Sequence, residues 1–76
     1  MEVTVRVWGN LRRFLPDGQG SAAIQVPDDT TVESLADQLA LKHELWAAAV
    51  NGRVVELSTR LRPGDRVVLF DHVHGG

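Results

Sequence analysis

From the first residues apolar and polar positions alternate. In EVTVRVW, Val3, Val5 and Val7 share one face, and Thr4, Arg6 and Trp8 share the other. A period of two marks a half-buried strand. The stretch GNLRRFLPDGQG follows, punctuated by Gly9, Pro16, Gly18 and Gly20, and reads as a loop with a short turn near Leu11–Leu15. SAAIQVP gives a second strand with Ile24 and Val26 inward and Pro27 at its end, so the two strands form a hairpin. The period then changes. Over DDTTVESLADQLALKH, Val32, Leu35, Ala36, Leu39 and Ala40 form one apolar stripe at helical spacing, which predicts a helix. Thr30 with Glu33 three residues on has the form of a capping box. Asp28 and Asp29 suit the positive end of the helix dipole, and Lys42 and His43 its negative end.

The C-terminal half returns to strands. LWAAAVNGRVVEL holds two apolar runs around Asn51-Gly52, a pair suited to the positive φ angles of a type I′ hairpin turn. In LRPGD, Pro63 presets φ and Gly64 suits the left-handed position of a type II turn. RVVLF is the last strand, with Val67 and Leu69 on one face and Val68 and Phe70 on the other. Beyond Phe70 the apolar pattern stops. The expected organisation is a 1–70 domain and a flexible 71–76 tail ending in Gly-Gly, and the fold class is α+β: a mixed four- to five-stranded sheet with one main helix on one face.

Composition narrows the chemistry. The chain has 76 residues and no cysteine, which leaves no disulfide, no thiolate nucleophile and no cysteine-based zinc site. Its net charge is −2 without a basic run, which argues against a nucleic-acid partner. No apolar run is long enough to span a bilayer and no signal peptide is evident, so no membrane is expected and the cytoplasm is the expected location. His72 and His74, two apart in an extended segment, point to opposite sides and chelate no common metal. Ser21, Ser34 and Ser58 lack a nucleophile-elbow context, and Gly18 with Gly20 lacks the strand-to-helix setting of a phosphate loop. No catalytic residue, metal ligand or bound cofactor is expected, and the chain is not expected to be an enzyme by itself.

The tail is the remaining chemical feature. The six residues Asp71–Gly76 reach roughly 20 Å when extended. Gly75 and Gly76 lack a Cβ and can thread a slot too narrow for a side chain, delivering the terminal carboxylate first. An ionised carboxylate is a poor acyl donor. Adenylation with ATP by another enzyme would give a mixed anhydride open to attack by sulfur or an amine. A frayed terminus that happens to contain glycines is the plainer alternative.

Taken together, AAVNGRVV, then LRPGDRVVLF, then a tail ending in Gly-Gly resemble the ubiquitin-like β-grasp sulfur carriers of the MoaD/ThiS type, the family of the molybdopterin synthase small subunit and the thiamine sulfur carrier. The resemblance covers nearly the whole chain, and VRVWGNLRRFLP is closer to the molybdopterin-type members. It implies a ubiquitin-like β-grasp fold and a protein co-substrate. An E1-like adenylating enzyme would use ATP to adenylate Gly76, and the adduct would become a thiocarboxylate donating sulfur in cofactor or metabolite biosynthesis. The partners implied are that enzyme and a sulfur-accepting enzyme or large subunit, with Gly75, His74 and Val73 threading into the partner's active site. Molybdopterin-type members often carry Pro-Pro after the last strand, where this chain has Asp71-His72.

In such a fold the first and last strands lie side by side in parallel. Trp8, Arg6, Val68 and Phe70 would then share the face away from the helix and form a partner-binding patch leading to the tail, the alternative being that the Leu11–Leu15 loop covers them. Two alternative functions remain open: a covalent modifier joined through Gly76 to target lysines, with Lys42 the only lysine of its own, and a non-covalent β-grasp binding module.

Overall fold

The computed structural model describes residues 1–8, 20–40 and 45–71, with only the backbone described at 8, 45, 46 and 71. Strand β1 (Glu2–Trp8) pairs antiparallel with β2 (Ser21–Gln25), and helix α1 (Val32–Gln38) follows. Strands β3 (Leu45–Val50) and β4 (Arg53–Val55) form a second hairpin, and β5 (Arg66–Asp71) closes the sheet. The sheet has five strands in the order β2-β1-β5-β3-β4. β5 is thus central, parallel to β1 and antiparallel to β3. The expected hairpins, the mixed sheet and the parallel first and last strands are all present, and the sheet has the upper of the two expected strand numbers. β5 extends one residue past Phe70, with Asp71 opposite Leu45.

The alternation seen in sequence decides what is buried. Val3, Val5, Ile24, Val67 and Leu69 point inward and join Val32, Leu35 and Ala36 of α1 in one core, completed by Val7, Val26, Ala48 and Leu61. Burying a side chain such as Leu35 or Leu69 contributes about 1.5–3 kcal/mol relative to leaving it exposed. In a chain without disulfides, this cluster and the strand ladders are what hold the fold.

The helix differs from its expectation at both ends. It spans Val32–Gln38 rather than the whole of 28–43. Thr31, not Thr30, is the N-cap: its Oγ1 accepts from the Ser34 N–H at 3.1 Å. Thr30 is buried, and its hydroxyl donates to the Pro27 carbonyl at 2.6 Å. The first helical N–H groups are satisfied from across the fold. Val32 N–H donates to Thr59 O at 3.0 Å, and Glu33 N–H to Leu57 O at 2.9 Å. Asp28 and Asp29 lie in the turn before the helix, with Asp29 at φ 70° and its carboxylate 3.7 Å from Arg60. At the other end the Ala40 N–H turns back to Asp37 O, and Ala40 takes φ 60°, so the helix stops and Ala40 leaves the apolar stripe for solvent. Lys42 and His43, expected in the last turn, lie outside the described residues, as does the 9–19 loop.

Candidate partner face and carboxy-terminal exit

Strand register sets the face opposite the helix. Arg6 stands opposite Val68, Val68 opposite Ala49, and Ala49 opposite Val54. Directly opposed residues point to the same side of a sheet. Arg6, Val68, Ala49 and Val54 therefore form one row across β1, β5, β3 and β4. The neighbouring rows bring Thr4 beside Arg66, and Trp8 beside Phe70 with Ala47. Arg6 and Arg66 are exposed, Val68 and Phe70 are half-buried, and Val54 is 77% exposed. A shallow groove of about 290 Å³ opens on this side, lined by Arg6, Asn51, Gly52, Arg66 and Val68.

Arg6, Val68 and Phe70, which sequence reasoning placed together, do share the face, and Trp8 occupies the register position beside them. The side chain of Trp8 lies outside the described part of the structure. Three residues of these rows were missed from sequence: Arg66 and Val54, which are exposed, and Ala49, which lies between Val68 and Val54 but is buried. A signal for two of them was present. A two-residue Asn-Gly turn dictates the pairing of Val50 with Arg53, and hence of Ala49 with Val54.

The turns that hold this surface are tied together by side chains. Asn51 (φ 51°) and Gly52 (φ 88°) occupy the left-handed region that a type I′ turn requires. Gly64 sits at φ 82° in the turn closed by the Asp65 N–H donating to Arg62 O at 3.1 Å. Asp65, nearly buried, joins the two turns. Its Oδ2 accepts from Arg62 N–H at 2.8 Å and its Oδ1 from Asn51 Nδ2 at 2.9 Å. The Asn51 Oδ1 in turn accepts from Arg66 N–H at 2.9 Å, and the Asn51 N–H donates to Arg66 O at 2.8 Å. The hairpin tip is thereby clamped to the first residue of β5, and the clamp holds Arg66 beside the groove.

β5 then runs through the centre of the sheet toward the tail. Gly76, Gly75, His74 and Val73 lie outside the described residues, as do His72 and the rest of the segment after Asp71. Among the described residues no group of three or more His, Cys, Asp or Glu is placed to hold a metal ion. No described helix is long and apolar enough to cross a membrane.

The family model of the ThiS family matches residues 5–76, which takes in both turns, the whole of β5 and the Gly-Gly end. The chain belongs to the ThiS family. Its members are ubiquitin-like β-grasp sulfur carriers, and the five-stranded mixed sheet with one helix is that fold. Among solved structures, the Haloferax volcanii HVO 2177 protein matches with a TM-score of 0.80 and 30% identity, over 100% of this chain and 87% of that one. One chain of the protein–protein complex of subunits 1 and 2 of the molybdopterin-converting factor from Helicobacter pylori matches with a TM-score of 0.64 and 28% identity, over 100% of this chain and 100% of that one. A threonine–tRNA ligase of Protochlamydia amoebophila is 41% identical over 51 residues, 64% of this chain. That stretch is 8% of the ligase, so the ThiS-family chain spans a small part of that relative's length.

Proposed function

We propose that this ThiS-family chain carries sulfur as a thiocarboxylate on Gly76, and that its acceptor is the large subunit of a molybdopterin synthase-like enzyme. The observation that supports this most is the family match extending through residue 76. The likeness to a chain of a molybdopterin-converting factor solved as a complex of subunits 1 and 2 supports the acceptor.

The chemistry needs no catalytic side chain from the carrier. The Gly76 carboxylate attacks the α-phosphate of ATP in the active site of an E1-like adenylating enzyme, and pyrophosphate leaves. A hydrosulfide equivalent then attacks the acyl carbon, the bond to AMP breaks, and the thiocarboxylate remains. Activation matters because adenylate is a far better leaving group than the oxide of an ionised carboxylate. Gly75 and Gly76 give the tail its narrow profile, and Val73 and His74 follow them into the partner's channel.

The fold suits this task. β5 is bonded on both sides, to β1 and to β3, so a partner gripping the residues after Asp71 pulls on the best-anchored strand. An edge strand, held from one side, frays more readily. The open face beside β5, with Arg6, Val68, Phe70 and the Trp8 position, is where the activating enzyme and the acceptor dock.

Incubation with ATP, a cognate E1-like enzyme and a sulfide source tests the reading by intact-mass spectrometry. Exchange of oxygen for sulfur adds about 16 Da at the terminus, and deletion of Gly75 and Gly76 abolishes the gain while leaving the fold intact. An unchanged mass for the intact chain refutes it.

A further inference from the structure

We propose that the open face selects a partner surface in which an apolar side chain lies next to carboxylates, with the acidic side toward Arg6 and Arg66 and the apolar side over Val68 and Val54. The inference rests on the carrier reading and names the chemistry of the protein that docks on this face.

Register gives the footprint a direction. Arg66 is opposite Thr4, and Arg6 is opposite Val68, so the two arginines are diagonal neighbours, about 7–8 Å apart at the backbone. They flank the groove that has Val68 in its wall. From Arg6 the row continues through Val68 and Ala49 to Val54 on the edge strand, so one end is cationic and the rest aliphatic. Val54, at 77% exposed, has the greatest exposure of the large apolar side chains described.

The charge on this face runs against that of the whole chain. The net charge is −2, yet the groove presents two guanidinium groups. Neither makes an ion pair with a described residue. Asp28, Asp29, Glu33 and Asp37 belong to α1 and the turn before it, on the other side of the sheet. Glu2 faces the same side, about 13 Å along β1 from Arg6 and diagonal to Arg66 across Thr4. Its Oε2 accepts from Gln25 Nε2 at 3.2 Å, toward β2. Two arginines without an ion-pair partner among the described residues, at the rim of an apolar surface, raise the encounter rate with an acidic partner and fix its orientation. Nucleic acid is the competing occupant for a pair of arginines. It is disfavoured because the row beside them is aliphatic and stacks no bases.

Amide chemical-shift mapping on the whole chain tests this with three probes: a peptide with leucine between glutamates, its glutamine counterpart, and a single-stranded RNA oligonucleotide. The acidic peptide is expected to shift Arg6, Val54, Arg66 and Val68, to bind at least tenfold more tightly than the glutamine peptide, and to weaken as salt rises. The double variant R6E/R66E is expected to lose that binding while melting within a few degrees of the parent, since both side chains are exposed. Equal binding of the two peptides, shifts confined to another face, absence of binding, or tighter binding of RNA at these residues would overturn the proposal. Adenylation by the E1-like enzyme separates this inference from the carrier reading. A parent that gains sulfur while R6E/R66E shows the same KM sinks the charge inference alone. A mapped acidic peptide with no mass gain in the parent sinks the carrier reading alone.

Discussion

Asp65 is the residue whose removal tests how the working face is held. Replacing it with alanine withdraws the acceptor from Arg62 N–H at 2.8 Å and from Asn51 Nδ2 at 2.9 Å. A hydrogen bond to a charged group contributes about 1.5–3 kcal/mol. Arg62 and Asn51 are both exposed, so water takes up part of the loss and the lower end of that range applies. The expected cost of D65A is about 2–3 kcal/mol for the two bonds together. At roughly 0.05–0.15 kcal/mol per residue, a chain of 76 residues has a stability of about 4–11 kcal/mol, so the loss is a large fraction of it. With a Tm response of about 4–8 °C per kcal/mol in a domain of this size, D65A should melt about 10–20 °C below the parent. D65N retains the shape but presents one NH2 group to a donor. It should cost less than D65A and more than a surface substitution, about 1–2 kcal/mol. Urea unfolding followed by circular dichroism gives these differences, and the cycle with N51A should return a coupling of about 1 kcal/mol. A D65A variant within about 0.5 kcal/mol of the parent, or a cycle with no coupling, refutes the clamp as a stabilising element.

Four further substitutions address other parts of the framework. L69A, at a fully buried position of the central strand, should cost about 2–5 kcal/mol in urea unfolding, whereas V54A at the exposed edge should stay within about 0.5 kcal/mol. T31A removes the oxygen that caps the Ser34 N–H and should cost about 1 kcal/mol, with faster hydrogen exchange at the first turn of α1 as its signature. G64A should cost about 1–2 kcal/mol through backbone strain alone, because Gly64 has φ 82° and a Cβ there meets no atom within 4 Å; an unchanged midpoint would show that the turn relaxes.

The parts of the fold legible in sequence share a physical basis: they are set by neighbours along the chain. The valines at 3, 5 and 7 predict an inward face, and all three are buried. Asn51-Gly52 and Pro63-Gly64 predict turns, and the positive φ angles are there. The helix ends were not legible for the converse reason. Leu57 and Thr59, more than twenty positions away, supply the carbonyls that cap its first N–H groups, which moves the cap from Thr30 to Thr31. Ala40 is a good helix former, so nothing local announces that it ends the helix at φ 60°.

Sequence alone determined which side of each strand faces the core and where the hairpins turn. Those properties follow from the two-residue period of a strand and from the backbone freedom of glycine. Tertiary structure decided which side chains meet. Arg6 and Val68 come from opposite ends of the chain and become neighbours because β5 enters the sheet parallel to β1. Arg66 joins them because Asn51 and Asp65 clamp the start of that strand. Register between distant strands depends on cores and turns formed elsewhere, so the working surface exists only once the whole sheet has closed.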